Sequence, residues 1–184
     1  MKSPAAPKAP DPVVTAGAQT GMNIGTAIAQ GWEFAYQQQF RFLPGLLRTL
    51  RFNANYTVIN AHGDFGTQGQ YLKNSQVNGF IPRTGNASFS WDYKKFGVSM
   101  SYNYTSESIR NAYNAANPSR NQYLMARELV NLNLRYQVRP NVTLTFGVAN
   151  LFNEPQIYYR GIADQIETFL IQGTTITAGI EGRF

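Results

Sequence analysis

The feature that most constrains this chain is a period of two. After Gly31, residues Trp32, Phe34, Tyr36, Phe40 and Phe42 share one face, broken only by Gln38, while Glu33, Ala35, Gln37 and Gln39 share the other. A helix needs a spacing near 3.6, so this pattern predicts a strand. The pattern returns six times. Leu50, Phe52, Ala54, Tyr56 and Val58 oppose Arg51, Asn53, Asn55 and Thr57. Ala87, Phe89, Trp91 and Tyr93 oppose Asn86, Ser88, Ser90 and Asp92, and Val98, Met100, Tyr102 and Tyr104 oppose Ser99, Ser101, Asn103 and Thr105. Val130, Leu132, Leu134, Tyr136 and Val138 oppose Asn131, Asn133, Arg135 and Gln137. Val142, Leu144, Phe146 and Val148 follow, and the last run holds Ile176, Ala178, Ile180, Gly182 and Phe184.

The connections alternate. Pro44-Gly45, Lys94-Lys95-Phe96-Gly97 and Arg139-Pro140-Asn141 read as tight turns. The segments from about Ala61 to Pro82, Ile109 to Tyr123 and Asn153 to Gly173 read as long polar loops. An antiparallel meander then carries its turns on one rim and its loops on the other, as outer-membrane barrels do. The runs are about ten residues long, the length that crosses a bilayer at a tilt near 45°. Strands of soluble proteins are nearer five or six. The polar face is Asn, Ser, Thr and Gln, and charged residues make up only 14% of the chain, against about 25% in a soluble domain. The expected fold is therefore all-β: an antiparallel up-and-down meander of about seven long strands, the C-terminal part of a transmembrane β-barrel. Lipid tolerates no open edge, and bacterial barrels usually have an even strand number. Seven strands thus read as the last part of a larger wall. A soluble sheet with one face buried is the bland alternative.

Composition removes other classes. The chain has no cysteine and one histidine, which excludes disulfide frameworks, thiolate zinc sites and His-based metal clusters. The net charge is +6, but the 16 Lys and Arg are scattered with no dense basic run, so nucleic acid is not an expected partner. No run of 18 apolar residues marks a membrane helix. The opening Met1-Lys2-Ser3-Pro4-Ala5-Ala6-Pro7 lacks the apolar centre of a signal peptide. Residues 1–22 read as a flexible or extended lead-in and 23–184 as the barrel segment.

Chemistry is sparse. His62 reads as a solvated loop residue. The glycine-rich Gly63-Asp64-Phe65-Gly66 lacks the Gly-Lys-Ser/Thr ending of a phosphate loop. Glu154, Asp164 and Glu167 share one loop, where solvation is the default and an acid/base pair the exception. No Gly-x-Ser-x-Gly elbow occurs. Four Asn-x-Ser/Thr triplets fall in or at strands and follow from the polar face rather than from glycosylation. No enzymatic activity and no cofactor are expected. Binding groups concentrate in the long loops: Arg83, Arg120, Tyr123, Tyr158, Tyr159 and Arg160 lead, because Arg and aromatic side chains are common anchors. The same residues suit lipopolysaccharide phosphates or an aromatic girdle.

Several segments resemble one family. Trp32-Glu33-Phe34-Ala35-Tyr36-Gln37-Gln38-Gln39-Phe40 with Phe42-Leu43-Pro44-Gly45 resembles a strand and turn of the C-terminal barrel of TonB-dependent outer-membrane receptors. Gly79-Phe80-Ile81-Pro82-Arg83-Thr84 looks like a loop-to-strand approach, and Ala149-Asn150-Leu151-Phe152-Asn153 like the end of the penultimate strand. The terminal alternation through Ile176 and Ile180 to Phe184 resembles the signal read by the barrel-assembly machinery. The resemblance implies a bacterial outer-membrane location with lipid and lipopolysaccharide around the wall. It also implies energised uptake of a siderophore, cobalamin or oligosaccharide, and action by TonB only through a plug domain. Plug and upstream strands are missing here, so the expectation is a fragment unable to transport alone. A passive porin-like barrel and a soluble all-β binding module are the alternatives.

Overall fold

A computed structural model of the chain describes residues 26–65 and 70–182. The lead-in, 1–22, and the terminal Phe184 lie outside the described residues. Seven long strands form one sheet: β1 (Ala27–Gln39), β2 (Arg51–Gly63), β3 (Arg83–Tyr93), β4 (Phe96–Thr105), β7 (Arg127–Arg139), β8 (Val142–Ala149) and β11 (Thr175–Gly182). They lie side by side in chain order, every pair antiparallel. The expected meander is the observed one.

Its register keeps the two sides apart. Phe52, Phe89, Met100, Leu132, Val148 and Ile176 are neighbours in one row across six strands. Gln37, Asn53, Ser88, Ser101 and Asn131 form a row on the opposite face. Aromatic residues gather at both ends of the apolar face. Near the short turns, Tyr93, Phe96 and Tyr136 are cross-strand neighbours, with the Phe96 and Tyr136 rings 4.6 Å apart. Near the long loops, Phe34 pairs with Tyr56, and the Tyr56 ring lies over Gly85, where a Cβ would sit 3.1 Å from it. Between these ends the row of Met100, Leu132 and Val148 is mainly aliphatic but also holds Phe52 and Phe89.

The apolar face has no second layer over it. Trp32 is 84% exposed, Phe34 63% and Ile180 74%. Water-soluble monomers rarely expose an apolar patch of more than a few hundred Å², so this face suits hydrocarbon. Among the described residues, the buried apolar side chains other than Val148 lie at the long-loop end: Ala61, Leu72, Val77, Ile109 and Tyr159.

Three boundaries differ from the sequence reading. β1 starts at Ala27 and stops at Gln39, so Phe40 and Phe42 leave the strand. Phe40 N–H still donates to the Leu50 carbonyl at 2.9 Å, but the chain then turns into a 3-10 segment, Gly45–Thr49. The indole N–H of Trp91 holds that segment against the wall through the Leu46 carbonyl, at 2.8 Å. β2 runs on to Gly63, because β1 offers it a partner over its whole length, from Ala27↔Gly63 to Gln39↔Arg51. The last two long loops are not structureless. β5 (Ser108–Ile109), β6 (Gln122–Leu124), β9 (Gln156–Arg160) and β10 (Ile166–Leu170) form a second, four-stranded sheet in the order β10-β9-β6-β5. These strands are two to five residues long and come in pairs from two loops, too short for periodicity to reveal.

The two faces make opposite demands on a charge. Leu132→Arg, in the middle of the apolar face, is expected to weaken membrane insertion of the assembled wall by about 2–4 kcal/mol, and Asn133→Arg, on the polar face, by far less. A folding titration into lipid vesicles measures both; equal losses would show that the faces are misassigned.

Candidate functional site

Two regions combine polar side chains with defined geometry: the polar face of the wall near the short turns, and the cap formed by the long loops.

On the polar face, amide and hydroxyl side chains bond across strands. Asn86 Nδ2 donates to Asn55 Oδ1 at 2.9 Å, and Asn131 Nδ2 to Ser101 Oγ at 3.3 Å. Toward the short turns Asp92 accepts from two arginines, Arg51 and Arg135, the latter at 2.6 Å. Gly97 makes this possible. A Cβ there would lie 2.3 Å from Arg135 Nε and 2.7 Å from Asp92 Oδ1, so only glycine leaves room for the guanidinium to lie flat across the strand. The three charges line an open groove of about 500 Å³ together with Asn133 and Glu181. All three side chains stay partly solvated, so each pair contributes no more than about 1 kcal/mol. The alternating pattern gave no signal for this cluster, because its members come from β2, β3 and β7.

The cap continues the wall. Tyr104 pairs with Glu128 and Ser108 with Leu124, four residues further on along both strands. Pairing is interrupted between Thr105↔Arg127 and Ser108↔Leu124 but resumes in the same register, so parity assigns each side chain of β5 and β6 to the side it would have on the wall. Tyr123 and Tyr159 are paired on the continuation of the polar face. Tyr158 pairs with Leu124, and Arg160 with Gln122, on the continuation of the apolar face. The six loop candidates are thus divided. Arg83, Tyr158 and Arg160 lie on the outward side, since Arg83 pairs with Val58 at the start of β3. Tyr123 and Tyr159 lie on the inward side. Arg120 is exposed in the 3-10 turn Pro118–Arg120 that precedes β6.

The inward side is aromatic and half-dry. The Tyr123 and Tyr159 rings stack with centroids 5.1 Å apart. Burial pushes the Tyr159 phenol well above its usual range, and its hydrogen bond to the Glu107 carboxylate adds to the shift. Tyr123 is raised by burial and by nearby Tyr113, with a hydrogen bond to Asn121 opposing. Asn121 is fully buried. Its Oδ1 accepts from Asn114 N–H at 2.8 Å and its Nδ2 donates to the Asn114 carbonyl at 3.3 Å, which closes the loop leading into β6.

On the outward side the Arg110 guanidinium sits 4.5 Å from the centre of the Tyr158 ring. Glu167 binds both Gln122 and Arg160. The hydrogen bond from Gln122 comes first in holding its carboxyl below the usual range, and Arg160 adds to it. Of the three loop carboxylates, Glu167 is therefore a structural acceptor. Among the described residues no cluster of His, Asp and Glu is arranged to hold a metal ion. Ile176 and Ile180 lie exposed on the edge strand β11.

Asn150, part of the Asn-Leu-Phe group, joins both ends of the last long loop. It adopts φ +53°, a conformation that asparagine tolerates better than most residues. Its Oδ1 accepts from Glu154 N–H at 2.7 Å, and its Nδ2 donates to the carbonyls of Glu154 and Gly173 at 3.1 and 3.2 Å. Thr174 Oγ1 donates to its carbonyl at 2.8 Å.

Asn150→Leu leaves these largely buried groups unpaired and is expected to destabilise the cap by about 2–3 kcal/mol. Earlier protease cleavage within 153–173, with the wall intact, is the readout. The tyrosines provide a pH test. Their folded phenols ionise later than the unfolded ones near pH 10. Their stabilisation is therefore complete below about pH 10 and is lost as pH rises through the folded values. In an ultraviolet titration Tyr159→Phe is expected to remove a phenol from the latest-ionising part of the curve. Loss from the early part would contradict the burial.

A family model described as TonB dependent receptor-like, beta-barrel, matches residues 6–151. The match spans β1 through β8 and leaves out most of the last loop and β11. No curated protein matched the chain, and no solved structure did. With more than half the chain matched, and with a two-sided antiparallel wall of long strands, the chain belongs to the TonB-dependent receptor-like β-barrel family, whose members are outer-membrane transporters rather than enzymes.

Proposed function

We propose that this chain forms the C-terminal part of the barrel of a TonB-dependent receptor that takes up a scarce solute such as a siderophore, cobalamin or oligosaccharide. The observation that carries the proposal is the open seven-stranded wall, apolar on one face and amide- and hydroxyl-rich on the other. Seven antiparallel strands make β1 and β11 run in the same direction. Two copies of the wall would therefore meet at two parallel seams. Closure by antiparallel pairs alone requires an odd number of other strands. A barrel of roughly 22 strands meets that requirement. Further strands and a plug complete the transporter, and the seven strands alone transport nothing.

In this reading the polar face lines the lumen, and the Arg51–Asp92–Arg135 cluster faces the plug. Arg120 and Tyr123 stand at the mouth, where solute arrives. Tyr159, only 6% exposed, supports Tyr123 from beneath. Ile176, Ile180 and Phe184 serve the barrel-assembly machinery, and TonB acts through the plug alone.

Conductance separates the readings. The 184-residue chain alone is expected to give no steady channels in planar bilayers. With the plug-bearing remainder of the barrel it should bind a solute such as a ferric siderophore. Arg120→Ala with Tyr123→Ala should weaken that binding about tenfold or more, at roughly 1–2 kcal/mol for each anchor. Steady ohmic channels from the chain alone would instead indicate a passive pore, and a monodisperse protein without detergent a soluble module.

A further inference from the structure

We propose that the inner lip of the short-turn rim binds an acidic peptide segment of a water-soluble partner, with one carboxylate seated between Lys95 and Arg135. The inference rests on the wall being a membrane wall whose short turns face the periplasm. It does not depend on the solute carried.

Charge is divided unevenly between the two ends of the wall. At the long-loop end Lys73, Arg83, Arg110, Arg120, Arg127 and Arg160 are matched in number by Asp64, Glu107, Glu128, Glu154, Asp164 and Glu167. At the other end the connection between β1 and β2 carries Arg41 and Arg48, that between β3 and β4 consists of Lys94 and Lys95, and Arg139 ends β7. None of these three connections holds an Asp or Glu. Asp92, on β3, already accepts from Arg51 and Arg135. Glu181 stands two strands from Gln137, across Thr143. Among the described residues no ion pair engages Arg48, Lys94, Lys95 or Arg139. The carboxylates that would balance these cations have to come from another segment.

A recess gives this charge a shape. Lys94, Lys95, Phe96, Arg135, Gln137 and Thr143 line a space of about 130 Å³ with no carboxylate among them. A space of that size takes one carboxylate side chain. Arg135, Gln137 and Thr143 stand in the register of the polar face. The recess therefore opens on the aqueous side of the wall, and a lipid of the surrounding leaflet would have to cross the rim to reach it. Arg135 uses Nη2 for Asp92, which leaves other N–H groups of its guanidinium for a second acceptor.

The backbone singles out the lysine at the tip. Lys94 has φ +52°, a conformation that Asn, Asp or Gly adopts at less cost in a hairpin turn. A long cation stands where local geometry favours a shorter residue, and its ammonium lies 5.2 Å from the centre of the Tyr93 ring. The next short turn along the rim, at Pro140-Asn141, is two strand spacings away, about 9–10 Å. About three residues of an extended chain cover that distance, so a run of acidic residues reaches Lys95 and Arg139 together.

The test uses the complete receptor, plug included, in zwitterionic detergent at low salt. A dye-labelled hexaglutamate peptide is expected to bind and hexaglutamine to fail. Lys94→Asn with Lys95→Gln should weaken hexaglutamate binding about fivefold or more. That variant should assemble at least as well as the wild type, because Asn suits the positive φ. Lys73→Gln with Arg110→Gln, of equal charge change at the opposite rim, should leave binding unaltered, and added salt should weaken it. Binding of hexaglutamine, an equal loss with the opposite-rim variant, displacement of the peptide by short-chain phosphatidylglycerol, or no hexaglutamate binding because the plug fills the recess would each overturn the proposal. Orientation is read separately. Lys95→Cys should resist a membrane-impermeant maleimide in intact cells and react once the outer membrane is permeabilised. Reaction in intact cells would overturn the membrane wall as oriented, a failure distinguishable from loss of peptide binding.

Discussion

Hydrocarbon offers no partner to a backbone N–H or C=O, so a chain crossing a bilayer as strands must satisfy those groups within its own wall. The rest of this molecule follows from that requirement. The ladder from β1 to β11 pairs every strand with its chain neighbours, and the strands are long because the apolar layer is thick. With the backbone satisfied in the plane of the sheet, neither face needs an internal core. Trp32, Phe34, Ile176 and Ile180 can remain bare because lipid, not protein, is their solvent. The two outer edges of β1 and β11 are the part of the requirement that the described residues do not meet.

The cap shows what the same ladder does once it leaves the membrane. Because the register between β4–β7 and β5–β6 does not slip, the two-sidedness of the wall passes into the loops intact. The inward side carries a stacked tyrosine pair of which Tyr159 is buried and Tyr123 half-buried, and the outward side carries arginines. Loops that read only as long and polar are tied down by buried asparagines: Asn121 closes one and Asn150 joins the ends of another. Each offers a donor and an acceptor from a short side chain, which is what a turn with orphaned backbone groups needs. An uptake receptor benefits from such an arrangement, since a loop ordered before binding loses less entropy when it meets its ligand.

The Arg51–Asp92–Arg135 cluster illustrates a different economy. Its Coulomb energy is small in a wet lumen, yet it links β2, β3 and β7 across a glycine that no larger residue can replace without moving a guanidinium. Its effect is local rigidity near the short turns; with Glu181 lining the same groove, the two arginines and two carboxylates there balance in charge.

The wall was legible in the sequence because strand side chains alternate strictly, and a lipid-facing strand has no reason to blur that alternation. Seven strands, their order, both faces and the aromatic ends followed from residues such as Leu132 and Asn133 alone. What the alternation did not carry was the pairing of short segments distant in sequence. Gln122–Leu124 gains meaning only when Gln156–Arg160 lies beside it, and Asp92 only when two strands deliver their arginines to it. The loop arginines and tyrosines were visible as types, but their division into an inward and an outward set depends on register, which is a property of paired strands. Sequence by itself determined the period and therefore the wall; only the tertiary ladder decided which side of the wall each loop residue serves, because a side chain's direction above the rim is inherited from pairings made below it.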